Sequence, residues 1–265
     1  MDLFHAFLYG AVQGVTEYLP ISSSAHLILL PRFLGQEDPG LAFDVFLHIG
    51  TLLATLGYFW RDWWAVLKGV PRKEGWTTFQ GASLGNLLLA TFPALLAGAA
   101  LHSLVETVFR GNQVLVITLP LFGFLLYWVD RAFPLRRGVG EMRWKDALWV
   151  GLFQCLALVP GVSRSGSTMT AGRILGLTRE SAARFSFLLS APITAAAVVF
   201  ELRKWDELFL GQVGWAALLT AGVSSFVFAW LAIGGLLKLI RRFGYLSFFI
   251  YRAGLALVIW RVLGV

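Results

Sequence analysis

Six runs of apolar residues, at 41–60, 82–106, 112–130, 183–202, 212–237 and 244–263, are each long enough to cross a hydrocarbon layer about 30 Å thick at about 1.5 Å of helical rise per residue. Lipid offers no partner for backbone N–H and C=O groups, so runs of this kind are predicted as helices, which satisfy their own hydrogen bonds. Composition closes off the soluble alternative. Of 265 residues 57% are hydrophobic and 14% charged, against about 25% charged in an average soluble protein, too few polar side chains to cover a water-soluble core. The expectation is an all-α integral membrane protein, one membrane domain over 1–265.

The charge balance is +7, from 22 Lys+Arg against 15 Asp+Glu. The basic residues lie in short segments between apolar runs, so they are read as a report of membrane orientation, and nucleic acid is not expected as a partner. Cys155 stands alone, flanked by Phe153, Leu156 and Ala157, and is read as a buried inert thiol. The opening MDLFHAFLYGAVQG has Asp2 in place of a cationic segment and is not read as a removable signal peptide.

Two further apolar segments, 3–30 and 147–176, are interrupted halfway by Pro, Gly and Ser: LPISSSAH at 19–26 and PGVSRSGST at 160–168. Proline removes a backbone donor and glycine loosens the turn, so each segment is predicted as two short helices joined by a loop within the membrane. The two align without gaps at an offset of 141, pairing Gly10 with Gly151, Gln13 with Gln154, Ser22 with Ser163, Ser24 with Ser165 and Leu34-Gly35 with Leu175-Gly176. That is an internal repeat, with halves at about 1–135 and 142–265. Each half holds one re-entrant broken hairpin and three spans, and the odd number of crossings inverts the second half against the first. Placing the loops 61–80, 131–146 and 238–242 inside gathers twelve basic residues there and leaves five outside, namely Arg32, Arg110, Arg203, Lys204 and Arg261. Both termini then lie outside, and the hairpins enter from opposite faces to meet near the midplane.

The first broken segment carries Gln13 and Glu17 four apart on one helix face, then Pro20, Ser22, Ser23, Ser24 and His26. An acid in an apolar stretch faces a cavity or caps a helix; the cavity is the reading preferred for Glu17, as general base or metal ligand. The serines taken singly read as helix breaks or caps, and His26 reads as a polar group of the same loop or as a histidine packed neutral at a helix start. In the second segment Gly161, Ser163, Arg164, Ser165, Gly166, Ser167 and Thr168 make a small-residue loop with one guanidinium and several hydroxyls, leading into a helix. Such a loop cradles anions through inward N–H groups, hydroxyls and a two-pronged guanidinium. The competing reading makes Arg164 a cytoplasmic orientation residue. Two more ionisable groups lie inside spans. Arg252 is expected to form a structural ion pair with an intramembrane acid, with substrate contact as the alternative, and His48 an i,i+4 hydrogen bond with Asp44 near the outer entrance, with a direct catalytic role as the alternative.

These residues carry a resemblance to the undecaprenyl pyrophosphate phosphatase family, the bacitracin-resistance membrane phosphatases, over essentially the whole chain: Gln13-xxx-Glu17 with Pro20-Ile-Ser-Ser-Ser-Ala-His26, then Pro160-Gly-Val-Ser-Arg-Ser-Gly166 with Thr168, then FSFLLSAP at 185–192 and IYR at 250–252. The resemblance implies hydrolysis of C55 isoprenyl diphosphate to the monophosphate at the outer face of the bacterial cytoplasmic membrane, with a divalent cation, Mg2+ or Ca2+. It implies that Glu17 is the essential acid and a metal ligand, Ser23 the favoured nucleophile with His26 as acid/base, and Arg164 the phosphate-binding arginine; a phosphorylated His26 and direct attack by water on a Glu17-bound metal are the alternatives. Substrate contacts fall to Gln13, Ser22, Ser24, Gly161, Ser163, Ser165, Gly166 and Thr168, and the expected partners are the lipid diphosphate, the bilayer and a second copy in a homodimer. Gln13 departs from the members that carry a second Glu there.

Two other functions fit parts of the pattern. A lipid-phosphate transporter or flippase would also use an inverted repeat with broken helices at midplane. Glu17 beside an anion it repels favours the enzyme. A non-catalytic scaffold leaves Glu17 and Arg164 without a task.

Overall fold

The computed structural model describes residues 1–69, 81–107, 111–201 and 213–263. Among these residues the chain is helical, without strands; one isolated bridge pairs Arg137 with Leu177. Six helices are long and apolar enough to cross a membrane: α3 (Leu41–Tyr58), α5 (Leu84–Thr107), α6 (Asn112–Ala132), α9 (Arg179–Glu201), α10 (Trp215–Phe243) and α11 (Leu246–Leu263). Each overlaps one of the six predicted spans, with α9 starting at Arg179 and α10 running on to Phe243; positions 202 and 212 of the predicted spans lie outside the described residues. Leu96, Ile117, Val223, Leu231 and Val262 are exposed on them, as helices bathed in lipid require.

Both broken segments form pairs of short helices. The first gives α1 (Leu3–Tyr18) and α2 (Ser23–Leu34); the second gives α7 (Trp144–Cys155) and α8 (Arg164–Ile174). A short helix, α4 (Trp60–Gly69), follows α3. The breaks turn in the same way. Ser22 at φ 72 and Ser163 at φ 75, which pair in the sequence at the offset of 141, are the non-glycine residues with positive φ among the described residues. A side chain held in that region stores of order 1–3 kcal/mol of strain, and both residues stand immediately before the helix that follows.

Close packing explains where the short helices sit. α1 lies along α10, where a Cβ on Gly10 would stand 2.0 Å from Ser224 Oγ and 2.2 Å from the Ala221 carbonyl. α7 lies along α5, where a Cβ on Gly151 would stand 2.5 Å from the Ala90 carbonyl. The matched glycines thus let each first short helix touch the backbone of a long one. Tyr18, Ile21, Met169, Phe185 and Phe187 fill the core between the two pairs.

Ion pairs gather at one end of the bundle. Arg184 pairs with Asp62, Arg241 with Glu180 at 2.5 Å, Arg137 with Asp146 at 2.6 Å, and Asp130 receives Arg173 at 3.0 Å and Arg179 at 2.8 Å. Of the basic residues counted for orientation, Arg72, Lys73, Arg110, Arg203 and Lys204 lie outside the described residues.

Candidate active site

The turns between the short helices meet. Gly161 N donates to Ser22 Oγ at 3.1 Å, and Ser165 Oγ donates to the Leu19 carbonyl at 3.1 Å, so each loop hydrogen-bonds the other. Within the loops the paired serines repeat one contact, Ser22 Oγ to Ser24 Oγ at 3.1 Å and Ser163 Oγ to Ser165 Oγ at 3.2 Å. Gly161 has φ 89, and a Cβ there would fall 2.0 Å from Thr118 Oγ1, so only glycine fits where its N–H reaches Ser22.

Glu17, at the last turn of α1, is the centre of the arrangement. It is 7% exposed. Arg164 Nη2 donates to Oε1 at 2.6 Å, while Ser23 Oγ donates to Oε2 at 2.6 Å and Gln13 Nε2 to the same oxygen at 3.2 Å. His48 Nε2 lies 3.4 Å from Oε2. A carboxylate held by this many donors stays where the serine needs it, and a hydroxyl donating to a buried carboxylate is set up to lose its proton. The second prong of Arg164 donates to the Ser186 carbonyl at 3.1 Å.

Glu17, Ser22, Ser23, Ser24, Ser163 and Arg164 line a cavity of about 220 Å³, together with His48, Val45, Ala157, Ile193, Thr194 and Ala197. Next to it is an apolar groove of about 370 Å³ between α3, α5 and α9, and Val45, Ile193 and Ala197 belong to both. A polar chamber therefore opens onto a hydrocarbon slot.

Several predicted site residues stand elsewhere. His26 does not line the cavity: Nδ1 meets the Ser22 carbonyl at 2.7 Å and Nε2 meets the Tyr251 hydroxyl at 2.7 Å, with the two rings stacked. Gln13 supports Glu17 from behind. Gly166 N donates to Ser163 Oγ at 3.1 Å, capping α8, and the Thr168 hydroxyl is engaged by the Arg164 carbonyl at 2.9 Å and Ser186 Oγ at 2.7 Å. Gly161, Ser165, Gly166 and Thr168 thus shape the loop rather than face the chamber.

Two expectations need correction. Among the described residues Arg252 pairs with no acid; its five hydrogen-bond acceptors there are backbone carbonyls, those of Leu119, Pro20, Thr118, Gly161 and Val162. Broken helices leave loop carbonyls without donors inside the protein, and one fully buried guanidinium supplies them from α11. His48 does form the i,i+4 contact, but from Nδ1 to the backbone carbonyl of Asp44 at 2.7 Å, and its other nitrogen is turned to Glu17. The Asp44/His48 spacing was visible in the sequence; that α3 presents this face to α1 was not. Cys155 is half-buried, its thiol toward the Gly151 carbonyl at 3.5 Å.

The residues present do not fit a resident divalent cation. Among the described residues no three His, Cys, Asp or Glu side chains gather to hold one. Both oxygens of Glu17 are occupied by donors, one of them a guanidinium, whose charge repels a second cation at the same carboxylate.

A serine hydroxyl on a buried carboxylate, beside an arginine and at the mouth of an apolar slot, defines a polytopic membrane protein equipped for anion chemistry on an amphiphile. The chain belongs to the bacitracin resistance protein BacA family, whose model matches residues 6–258. It is 44% identical over 268 residues to a protein of Marinobacter nauticus, covering 99% of this chain and 100% of that one. It is 45% identical to one of Gemmatimonas aurantiaca (99% and 98% covered) and 46% identical to one of Moorella thermoacetica (98% and 97% covered). All three are named undecaprenyl-diphosphatase.

Proposed function

We propose that this protein is a membrane phosphatase that hydrolyses undecaprenyl diphosphate to the monophosphate. The observation that carries the reading is the 2.6 Å hydrogen bond from Ser23 Oγ to Glu17 Oε2 inside a chamber that Arg164 also lines and that continues into an apolar groove. Removing phosphate from a lipid needs a polar pocket for the headgroup and an apolar path for the tail, and both lie side by side here. The full-length relatives named undecaprenyl-diphosphatase support the same substrate.

In this reading Ser23 Oγ attacks the terminal phosphorus in line with the bridging oxygen. The Oγ–P bond forms, the P–O bond to the lipid monophosphate breaks with its electron pair staying on the leaving oxygen, and the serine proton passes to Glu17 and on to the leaving phosphate. Water then attacks the phosphoserine, Glu17 takes its proton, and that proton returns to Ser23 Oγ as inorganic phosphate departs. Arg164 donates to the equatorial oxygens, where charge spreads during transfer. Ser22, Ser24 and Ser163 supply further hydroxyls from the chamber wall, Gln13 braces Glu17, and Gly161, Ser165, Gly166 and Thr168 set the loop.

The same proposal includes the membrane arrangement. Two hairpins, α1–α2 and α7–α8, re-enter from opposite faces in an inverted repeat whose halves run about 1–135 and 142–265. Matched glycine contacts, matched serine turns and the mutual hydrogen bonds of the two loops support this. With the ion-paired end of the bundle cytoplasmic, the site opens to the outer face of the bacterial inner membrane. The function in cell-wall lipid recycling, bacitracin resistance and pairing into homodimers follow from the family resemblance.

Phosphate release tests the function. Purified protein in detergent should liberate inorganic phosphate from undecaprenyl diphosphate in many turnovers. Binding of the lipid with no phosphate released would instead support a transporter.

A further inference from the structure

Among the described residues His48 is the one histidine that lines the chamber, and nothing in the motif pattern assigns it a task. We propose that it is a second phosphate-facing donor beside Arg164, so that the histidine that touches the substrate comes from the span α3 rather than from the serine loop. The inference rests on the phosphatase reading above.

Its ring is held at one edge and offered at the other. Nδ1 meets the Asp44 carbonyl at 2.7 Å, an acceptor, and therefore carries hydrogen. Nε2 faces Glu17 Oε2, also an acceptor, at 3.4 Å. That oxygen already has two nearer donors, Ser23 at 2.6 Å and Gln13 at 3.2 Å. With Nδ1–H already given to Asp44, a hydrogen on Nε2 as well makes the ring an imidazolium, and in that form Nε2–H is the most weakly engaged donor at Oε2 and the first that an entering phosphate oxygen can draw away. Access agrees: the His48 side chain is 26% exposed against 7% for Glu17 and 14% for Arg164, and it lines the chamber wall. The charged groups that face it are Glu17 on α1, its own-helix neighbour Asp44, and Arg164 across the carboxylate. His26 offers no comparable edge, since both its nitrogens are engaged at 2.7 Å and it lies off the chamber. Its place is to hold the Ser22 turn against α11.

The role asks for a donor at the Nε2 position, and glutamine places an amide N–H2 there while alanine places nothing. With a short soluble isoprenyl diphosphate, His48→Ala should lose about 10- to 100-fold in kcat/KM, the range for a hydrogen bond to a charged group, and His48→Gln should stay within about fivefold of the parent. Binding separates contact from chemistry. An isoprenyl methylenediphosphonate, in which carbon replaces the bridging oxygen, should inhibit His48→Ala about tenfold more weakly and His48→Gln about as well as the parent. Parent-like analogue binding by His48→Ala overturns the proposal, as does tenfold weaker binding by a folded His48→Gln. If His48→Ala does not purify folded, the glutamine variant alone decides. A parent that neither cleaves the diphosphate nor binds the analogue would refute the phosphatase reading itself; a parent that does both, with His48→Ala its equal, refutes only the role of His48.

Discussion

Replacing Arg252 by methionine removes a side chain that ties both loops to the spans. Its guanidinium reaches the carbonyls of Pro20 at 3.2 Å, Gly161 at 2.5 Å and Val162 at 3.2 Å in the loops, and those of Leu119 at 2.8 Å and Thr118 at 3.3 Å on α6. Methionine keeps much of the stem packing against Gly123, where a Cβ would stand 3.2 Å from Arg252 Cδ. The three loop carbonyls lie outside the helices and lose their donor. At the low end of the penalty for a buried acceptor left unpaired, about 1 kcal/mol each, the loss is about 3 kcal/mol. For a chain of this size, at about 2–4 °C per kcal/mol, thermal unfolding in detergent should move down by about 6–12 °C. Because Pro20 precedes Ser23 and Gly161–Val162 precede Arg164, slack in these carbonyls displaces nucleophile and clamp together. A displacement on the 1 Å scale costs about 10²-fold in turnover. Arg252→Lys, with three donors on a single nitrogen, should fall between methionine and the parent. Intrinsic fluorescence during heating gives the first number and phosphate release the second. A midpoint for Arg252→Met within about 2 °C of the parent, or a parental rate, would refute the reasoning.

Glu17→Gln keeps the shape and removes the base, so phosphate release should fall by at least ~10²-fold while the protein stays folded; near-normal turnover would remove Glu17 from its role. Arg164 bridges Glu17 and the Ser186 carbonyl with two prongs, which a lysine cannot reproduce, so Arg164→Lys should resemble Arg164→Ala, mainly in kcat, and equally on short and long isoprenyl diphosphates. For topology, Arg136→Cys should resist a membrane-impermeant thiol reagent in intact cells, and labelling there would invert the arrangement. At the same end, burial pushes the Asp146 carboxyl up, but the hydrogen bonds from Arg137 and the Arg143 N–H outweigh it and hold it below the usual carboxylate range. A depressed carboxylate contributes stability at neutral pH that is lost as pH falls through its folded value. Asp146→Asn should therefore melt lower at pH 7 by about 2–4 °C, for a partly exposed pair worth at most ~1 kcal/mol, and the gap should close in acid; a constant gap would point to packing instead.

The spans and both breaks were legible because they depend on local rules. A run of apolar residues has one stable form in lipid, and Pro20 with the serines after it, or Pro160-Gly161, cannot continue a helix. The Ser23–Glu17 contact was legible for a related reason, since the break folds α2 back beside the end of α1. What stayed hidden depends on which helix faces which. His48 reads as a histidine near Asp44 until α3 packs against α1, and Arg252 reads as a cation in need of an acid until the loop carbonyls converge on it. His26, sitting in the motif itself, invited a chemical role that its contacts with Ser22 and Tyr251 do not place at the chamber. The buried Arg173, held by Asp130 and by the carbonyls of Phe133, Pro134 and Leu177, left no trace in any pattern of spacing. Apart from Leu177 its partners come from the end of α6 and the residues just after it.

The central claim is that Ser23, activated by Glu17, takes the phosphoryl group. Rapid-quench mixing of the purified protein with isoprenyl diphosphate labelled at the terminal phosphate, followed by digestion and peptide sequencing, measures this directly. The account predicts a transient acid-stable phosphopeptide labelled at Ser23, formed and lost fast enough to support turnover, and absent from Ser23→Ala and Glu17→Gln. Full turnover by Ser23→Ala, or label confined to His26, would contradict it.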